Sequence, residues 1–367
     1  MSKAKLFQPF LENGLELKNR VVLAPLTRSR AINNAPNDLM AEYYAQRSEA
    51  GLIITEGTSP SANGLGYPRI PGVFSQEQID GWKKVTEAIH SGNSKVFLQI
   101  MHVGRVAHEI NLGENGEVVA PTSKTMEGEM YTDEEGPQPH TPPRLMTLQD
   151  INQAKDEFVR AAKNAIMAGF DGVEIHAANG YLIEQFINAE INELDNEYGG
   201  SVENRSRFLI EVAQEISEAI GSEKVGVRLS PHSPFNAMPT YDSVDDTYEY
   251  IAAELGKLNI AYVHIVDHSS TGAPAVPMKL KNIIRDNFKG VVILNGGYDK
   301  EQAEDHIQSG YTHLVAFGRP FISNPDLVTR MKDEAPLNEL NPHTLYTPGA
   351  EGYTDYPTLK EESVKVS

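Results

Sequence analysis

The chain has 367 residues, 40% hydrophobic and 23% charged, the composition of an ordinary folded protein and not of a disordered or fibrous one. Its 32 basic and 51 acidic side chains leave a formal charge of −19, which repels phosphate backbones and anionic membrane surfaces and argues against a nucleic-acid binder. The absence of cysteine excludes disulfides, thiolate nucleophiles, cysteine-ligated zinc and iron–sulfur clusters, so redox chemistry would need a bound organic cofactor.

The opening MSKAKLFQPF lacks the apolar centre of a signal peptide, and no run approaches the about 18 apolar residues of a membrane span. A cytoplasmic protein without a membrane partner is the expectation. Residues 6–18, with Asn13-Gly14 between apolar runs, read as a hairpin that either plugs a barrel or lies on the surface. Short β-branched runs then predict strands at Arg20–Ala24, Leu52–Thr55, Lys95–Ile100, Gly172–Ile175, Val225–Leu229, Tyr262–Val266, Val291–Leu294 and His313–Phe317. Helical spacing separates them, as in Ile151, Ala154, Phe158, Ala161, Ala165 and Ala168, with Thr147 in front and Gly169 behind as caps. Strands as apolar as VVLAPL suit burial on both faces of a parallel sheet, and eight such units are the number that closes an α/β barrel of the (β/α)8 TIM type. An open doubly wound sheet is the alternative. Residues 103–146, rich in Gly, Pro and charge, are too long for an ordinary connection and predict a lid over the mouth; residues 358–367 read as a flexible tail of the single domain 1–367.

The motifs narrow the chemistry. No G-x-G-x-x-G follows a strand, and there is no P-loop, H-E-x-x-H or G-x-S-x-G. His102 and His108 lack a carboxylate at ligand spacing, so no metal site is expected. LNGGYD and VAFGRPFISNPDL put Gly296, Gly297, Gly318 and Arg319 at the ends of the seventh and eighth strands, the position of barrel phosphate cradles. A strand-end Gly-Arg also occurs as a turn with a structural arginine. Past the fourth strand, His176, Asn179 and Tyr181 offer two hydrogen-bond donors for a carbonyl oxygen and one proton.

The set APLTRSR (24–30), LQIMHVGR (98–105), HAANGYL (176–182), EYGGSVENRSRF (197–208), GVRLSP (226–231), VAFGRPFISNPDL and GAEGYTDYP (349–357) resembles the Old Yellow Enzyme family, within it the bacterial branch of N-ethylmaleimide, pentaerythritol tetranitrate and morphinone reductases. The resemblance implies an FMN-bound barrel reduced by NADPH or NADH. It implies that Thr27 bonds the flavin O4, that Pro25 and the Gly57 backbone touch the isoalloxazine, and that Gln99 bonds its pyrimidine edge. Arg228 would lie near N1 and O2, its alternative being a buried structural ion pair. Gly297, Gly318 and Arg319 would hold the phosphate. His176 and Asn179 match the pair that binds the substrate oxygen, Tyr181 matches the proton donor, and Tyr67 and Tyr353 resemble aromatic pocket residues. Met101 stands where close relatives often have tryptophan, and is expected to open the pocket beside the flavin.

By this resemblance the protein is an ene-reductase with ping-pong kinetics. Hydride would pass from NAD(P)H through flavin N5 to the β-carbon of an electron-poor alkene, a small α,β-unsaturated carbonyl, with nitro and nitrate-ester compounds as alternatives, and the protein is expected to act as a monomer or weak homo-oligomer. The competing reading is a flavin-free barrel lyase or isomerase on a phosphorylated substrate, which would need a catalytic lysine or carboxylate at a strand end; neither motif is evident. A non-enzymatic flavin-storage protein is the third, and His176, Asn179 and Tyr181 argue against it.

Overall fold

Eight parallel strands close into one barrel in the computed structural model, which describes residues 4–361. A hairpin of β1 (Phe10–Glu12) and β2 (Leu15–Leu17) precedes β3 (Val21–Leu23), β4 (Leu52–Ile54) and β5 (Lys95–Ile100). Four short strands belong to the long connection: β6 (Val119–Ala120), β7 (Glu129–Thr132), β8 (Gly136–Pro139) and β9 (Arg144–Leu145). The barrel resumes with β10 (Gly172–Ala177), β11 (Val225–Leu229), β12 (Tyr262–Val266), β13 (Val291–Asn295) and β14 (Leu314–Phe317), which pairs back onto β3. Closure rules out the open doubly wound sheet, whose edge strands would be unpaired. The outer helices are α1 (Asp38–Gln46), α2 (Gln76–Ser91), α3 (Leu148–Met167), α4 (Leu182–Ile187), α5 (Val202–Ile220), α6 (Val244–Lys257), α7 (Met278–Phe288), α8 (Lys300–Gln308), α9 (Arg319–Ser323) and α10 (Leu327–Asp333).

Local chemistry sets the helix starts. Ser75 with Gln78 opens α2, and Thr147 with Asp150 opens α3, each a reciprocal capping box that satisfies two otherwise orphaned N–H groups. Along α3 the expected face is buried, Ile151, Ala154, Phe158, Ala161 and Ala165 packing inward. The motif EYGGSVENRSRF does structural work at the head of α5: Ser201 caps the helix, and buried Arg205 donates from Nε to the Ile187 carbonyl at 2.9 Å.

Strand alternation divides the apolar residues. Val21, Leu23, Ile53, Val96, Leu98, Val173 and Ile175 belong to the core shared with the helices, whereas Val22, Leu52, Ile54, Phe97, Tyr262, Ile293 and Leu314 form a separate cluster inside the barrel. Phe10, Leu15 and Leu17 of the hairpin join that inner cluster, and Asn13 Nδ2 donates to the carbonyls of Ile260 and Ala261 at 2.8 and 3.0 Å, just before β12. The hairpin therefore plugs the N-terminal end and does not float on the surface. At the opposite end the connection after β5 packs Val103, Val106, Ala107, Val118 and Met130 into one apolar cluster with Leu65, Met101 and Tyr181, forming a lid. The expected loose tail is tied down where it is described: Leu359 N–H donates to Asp326 at 2.7 Å and Thr358 N–H to Glu361 at 2.8 Å, while residues 362–367 lie outside the described residues. No helix among the described residues is long and apolar enough to cross a membrane.

Candidate active site

The inward rows of the strands change character from one end of the barrel to the other. On β5 the row runs Phe97, Gln99; on β10, Gly172, Glu174, His176; on β11, Gly226, Arg228; on β12, Tyr262, His264; and on β13, Ile293, Asn295. Above the apolar plug lies a buried polar layer. Gln99 Nε2 donates to Glu174 Oε1 at 2.8 Å, and His264 Nδ1 bonds Glu174 Oε2 at 2.8 Å across the interior, since β10 and β12 are not neighbours. Burial works against charge on both groups, yet His264, Arg228 and Gln99 hold the Glu174 carboxyl below its usual range, while burial and Arg228 hold His264 below its own. A carboxylate accepting from a neutral imidazole fits both directions.

At the C-terminal mouth His176 ends the β10 row, with its Nδ1 buried and without a partner among the described residues. Burial and the nearby Arg228 push its pKa well below the usual histidine value, so the ring is neutral. The Tyr181 ring stands edge-on to it, centroids 5.0 Å apart, and the Tyr181 hydroxyl donates to Tyr67 Oη at 3.3 Å. Burial raises both phenols, so both are protonated at neutral pH. The turn between them is braced from behind: Asn179 takes φ +59°, its N–H donates to Ser230 Oγ at 2.7 Å, and Gly180 N–H donates to Glu184 at 2.6 Å. Ser230 and Tyr248 hydroxyls also donate to Glu184, at 2.8 and 3.0 Å.

Several groups fit a flavin nucleotide by what they leave unsatisfied. Arg228 is buried, donates from Nη2 to Asn295 Oδ1 at 3.0 Å, makes no ion pair among the described residues and leaves Nε without a partner, which disfavours the structural ion-pair alternative. With its amide N–H given to Glu174, Gln99 keeps a free carbonyl oxygen. Pro25 is buried after β3, and the half-buried Thr27 hydroxyl has no protein partner among the described residues. Arg319 is exposed at the β14 end without a protein partner among the described residues, and a Cβ on Gly318 would meet nothing closer than Leu26 at 3.5 Å. Gly297 is exposed at φ +70°, where a Cβ would stand 2.4 Å from that of Ser270. A guanidinium beside open backbone suits a phosphate, and an amide carbonyl with a deeper guanidinium suits a pyrimidine edge.

Two expectations are corrected. Tyr353 is fully buried and does not line the mouth; it stacks on Tyr43 at 4.1 Å between centroids, with Arg30 4.8 Å and Arg28 5.1 Å from its ring centre. The cause is the pull of those arginines on the C-terminal segment: Arg28 Nη2 donates to the Gly352 carbonyl at 2.7 Å and Arg30 Nη2 to the Thr344 carbonyl at 2.8 Å. The aromatic residue this segment gives to the mouth is Tyr346, 60% exposed and close enough to Tyr67 and Tyr181 to raise both phenols. Met101, in turn, is 1% exposed and folds onto Gly57, where a Cβ would lie 2.5 Å from its sulfur, so it seals the corner and does not open it. Sequence reasoning also passed over Asn236 and His268. Asn236 Nδ2 donates to the Asn179 carbonyl at 2.8 Å and its carboxamide faces the Tyr67 and Tyr181 hydroxyls; His268 Nε2 lies 2.8 Å from Asn179 Oδ1. Their position just beyond β11 and β12, where barrel chemistry gathers, was the available signal.

A (β/α)8 barrel with a buried polar floor, neutral donors under a lid and an exposed guanidinium beside open backbone at the β14 end fits a flavin-binding class of barrel enzyme. The family model for the NADH:flavin oxidoreductase / NADH oxidase family matches residues 5–338. Among relatives, 12-oxophytodienoate reductase 7 of Oryza sativa subsp. japonica is 39% identical over 97% of this chain and 95% of its own, and 12-oxophytodienoate reductase 1 of the same plant is 42% identical over 97% and 93%. Among solved structures, morphinone reductase superposes with a TM-score of 0.93 at 40% identity, covering 98% of each chain. The Old Yellow Enzyme homologue from Zymomonas mobilis gives 0.91 at 39%, covering 97% of this chain and all (100%) of that one. The chain belongs to the NADH:flavin oxidoreductase / NADH oxidase family, that of Old Yellow Enzyme, and is morphinone reductase-like. It is an oxidoreductase whose cofactor is FMN and whose reductant is NADH or NADPH.

Proposed function

We propose that this oxidoreductase is an ene-reductase that reduces the C=C bond of small α,β-unsaturated carbonyl compounds, with nitro compounds and nitrate esters as further acceptors. The observation that carries the reading is the meeting of a neutral imidazole, a carboxamide and a protonated phenol at one lidded mouth. Bound FMN would supply the hydride chemistry that links NADH or NADPH to the β-carbon of the acceptor. His176 and Asn179 donate to the carbonyl oxygen, stabilising the negative charge that develops there as hydride arrives. Tyr181 supplies the proton to the α-carbon, and burial, by keeping the phenol neutral, suits it to donate. Thr27, Gln99, Arg228, Gly297, Gly318 and Arg319 would hold the cofactor, and the apolar lid cluster around Tyr181 keeps water from the reacting atoms.

The flavin-free lyase or isomerase does not fit a chain of an FMN family, and the carboxylates at the mouth do not favour it. The carboxylates beside the β10 and β12 ends are already engaged, Glu184 by Gly180, Ser230 and Tyr248, and Asp267 by Lys281 at 2.7 Å. The test is direct. Purified protein should be yellow and release FMN on denaturation, and the reduced enzyme should be reoxidised by cyclohexenone. Release of FAD, or failure to take up flavin on reconstitution, would overturn the reading.

A further inference from the structure

The ring of His268 lies just past β12 and packs flat on Phe235, with centroids 5.5 Å apart and planes 12° from parallel. Its Nε2 is 2.8 Å from Asn179 Oδ1. The Asn179 backbone is fixed as well, its N–H by Ser230 Oγ at 2.7 Å and its carbonyl by Asn236 Nδ2 at 2.8 Å. Only the Nδ2 end of the carboxamide has no protein partner among the described residues.

We propose that His268 is a positioning residue: by donating from Nε2 to Asn179 Oδ1 it commits the Asn179 amide N–H to the mouth and so selects ligands that present an oxygen lone pair there. The inference rests on the proposed role of Asn179 in binding the acceptor oxygen. A carboxamide is a donor at one end and an acceptor at the other, and it turns about its terminal bond with little resistance. Left free, it would offer Oδ1 to the acceptor oxygen in a fraction of molecules, a repulsive contact. With Oδ1 engaged by an imidazole N–H, the donating orientation is held before the ligand arrives, and no reorganisation is needed as charge develops. The surroundings favour a neutral ring: burial, Arg228 and Arg319 lower the His268 pKa, and only Asp267 opposes them. The flat stack on Phe235 fixes the imidazole plane, so Nε2 stays aimed at Asn179.

Titration of the FMN-loaded protein with 4-chlorophenol, read by the long-wavelength band of a phenolate stacked on oxidised flavin, tests this. His268→Phe keeps an aromatic ring on Phe235 but removes the donor, and should weaken binding about tenfold, the scale of one hydrogen bond to a charged oxygen. His268→Gln returns an amide N–H close to the position of Nε2 and should restore affinity to within about threefold of the unmodified protein. In an Asn179→Ala background, His268→Phe should have no further effect, because two residues acting through one interaction are not additive. Unchanged binding in His268→Phe overturns the proposal. So does an equal loss in the Phe and Gln variants that persists without Asn179, since that would be a packing effect. A flavin-loaded protein that gives no phenolate band even with His268 and Asn179 intact overturns both this inference and the role of Asn179, whereas a normal band indifferent to His268 overturns the inference alone.

Discussion

On the proposed function Tyr181 would act at one moment only: a proton is needed when the α-carbon is protonated, not when nicotinamide reduces the flavin. In stopped-flow experiments Tyr181→Phe should leave flavin reduction within about twofold and slow reoxidation by cyclohexenone by about 10²- to 10⁴-fold, the range of general-acid contributions. Because Tyr67 Oη is 3.3 Å away and buried groups surround both phenols, a purely packing role for Tyr181 would disturb both half-reactions together, and that outcome would remove it as the donor. Arg319 makes a complementary case. It is exposed and holds no protein group among the described residues, so Arg319→Ala should leave the stability of the flavin-free protein within about 0.5 kcal/mol. The same change should weaken FMN binding by at least about tenfold, as expected for loss of a charged hydrogen bond to phosphate. Flavin release monitored by fluorescence checks the second part, and undiminished affinity would move the phosphate elsewhere. Motif position put both residues just past strand ends, β10 for Tyr181 and β14 for Arg319, where the structure has them. It failed for Tyr353, because the side chain that reaches the mouth is decided by how Arg28 and Arg30 draw in the C-terminal segment, which no local pattern encodes.

At the scale of elements, the turn from β10 into α4 depends on a carboxyl group behind it. Burial pushes Glu184 up to about 7 from its ordinary value of 4.5, even though Gly180 N–H and the Ser230 and Tyr248 hydroxyls favour its charged form. Between these two values the folded protein keeps a proton that the unfolded chain has released, so this group's contribution to stability falls as pH rises through the window and levels off above about 7. Glu184→Gln cannot ionise and should lack that decline. Its stability relative to the unmodified protein should improve by on the order of 2–3 kcal/mol between about pH 5 and about pH 8. Urea unfolding at the two pH values measures the difference, and a constant offset would show that Glu184 does not titrate in this range. Glu184 lies three residues after Tyr181 in the sequence, but its burial comes from α4 lying under Ser230 and Tyr248, 46 and 64 residues further along the chain. The lid differs in kind: its length and composition marked it as an insertion, while the short strands inside it were too brief to leave a periodic signal.

Across the whole molecule the barrel separates stability from chemistry by its two ends. The hairpin seals one end with Phe10, Leu15 and Leu17, far from the His176 mouth, so Phe10→Ala should cost about 3–5 kcal/mol in urea unfolding while leaving the turnover of correctly folded, flavin-loaded protein unchanged. A loss of turnover per flavin would mean that the plug shapes the mouth. The sequence by itself determined the eight strands, their alternation with helices and thus the parallel barrel, because a strand buried on both faces is apolar at most positions and such runs are visible locally. It also put His176, Asn179, Tyr181, Arg228 and Arg319 at strand ends, since barrel strands all deliver their C-termini to one mouth. Only the tertiary structure decided that Met101 is sealed against Gly57, that Tyr346 and not Tyr353 reaches the pocket, and that Asn236 and His268 hold the Asn179 turn. Each of those outcomes is a contact between residues 44 to 325 positions apart, set by three-dimensional closure of the barrel, and sequence periodicity carries no record of it.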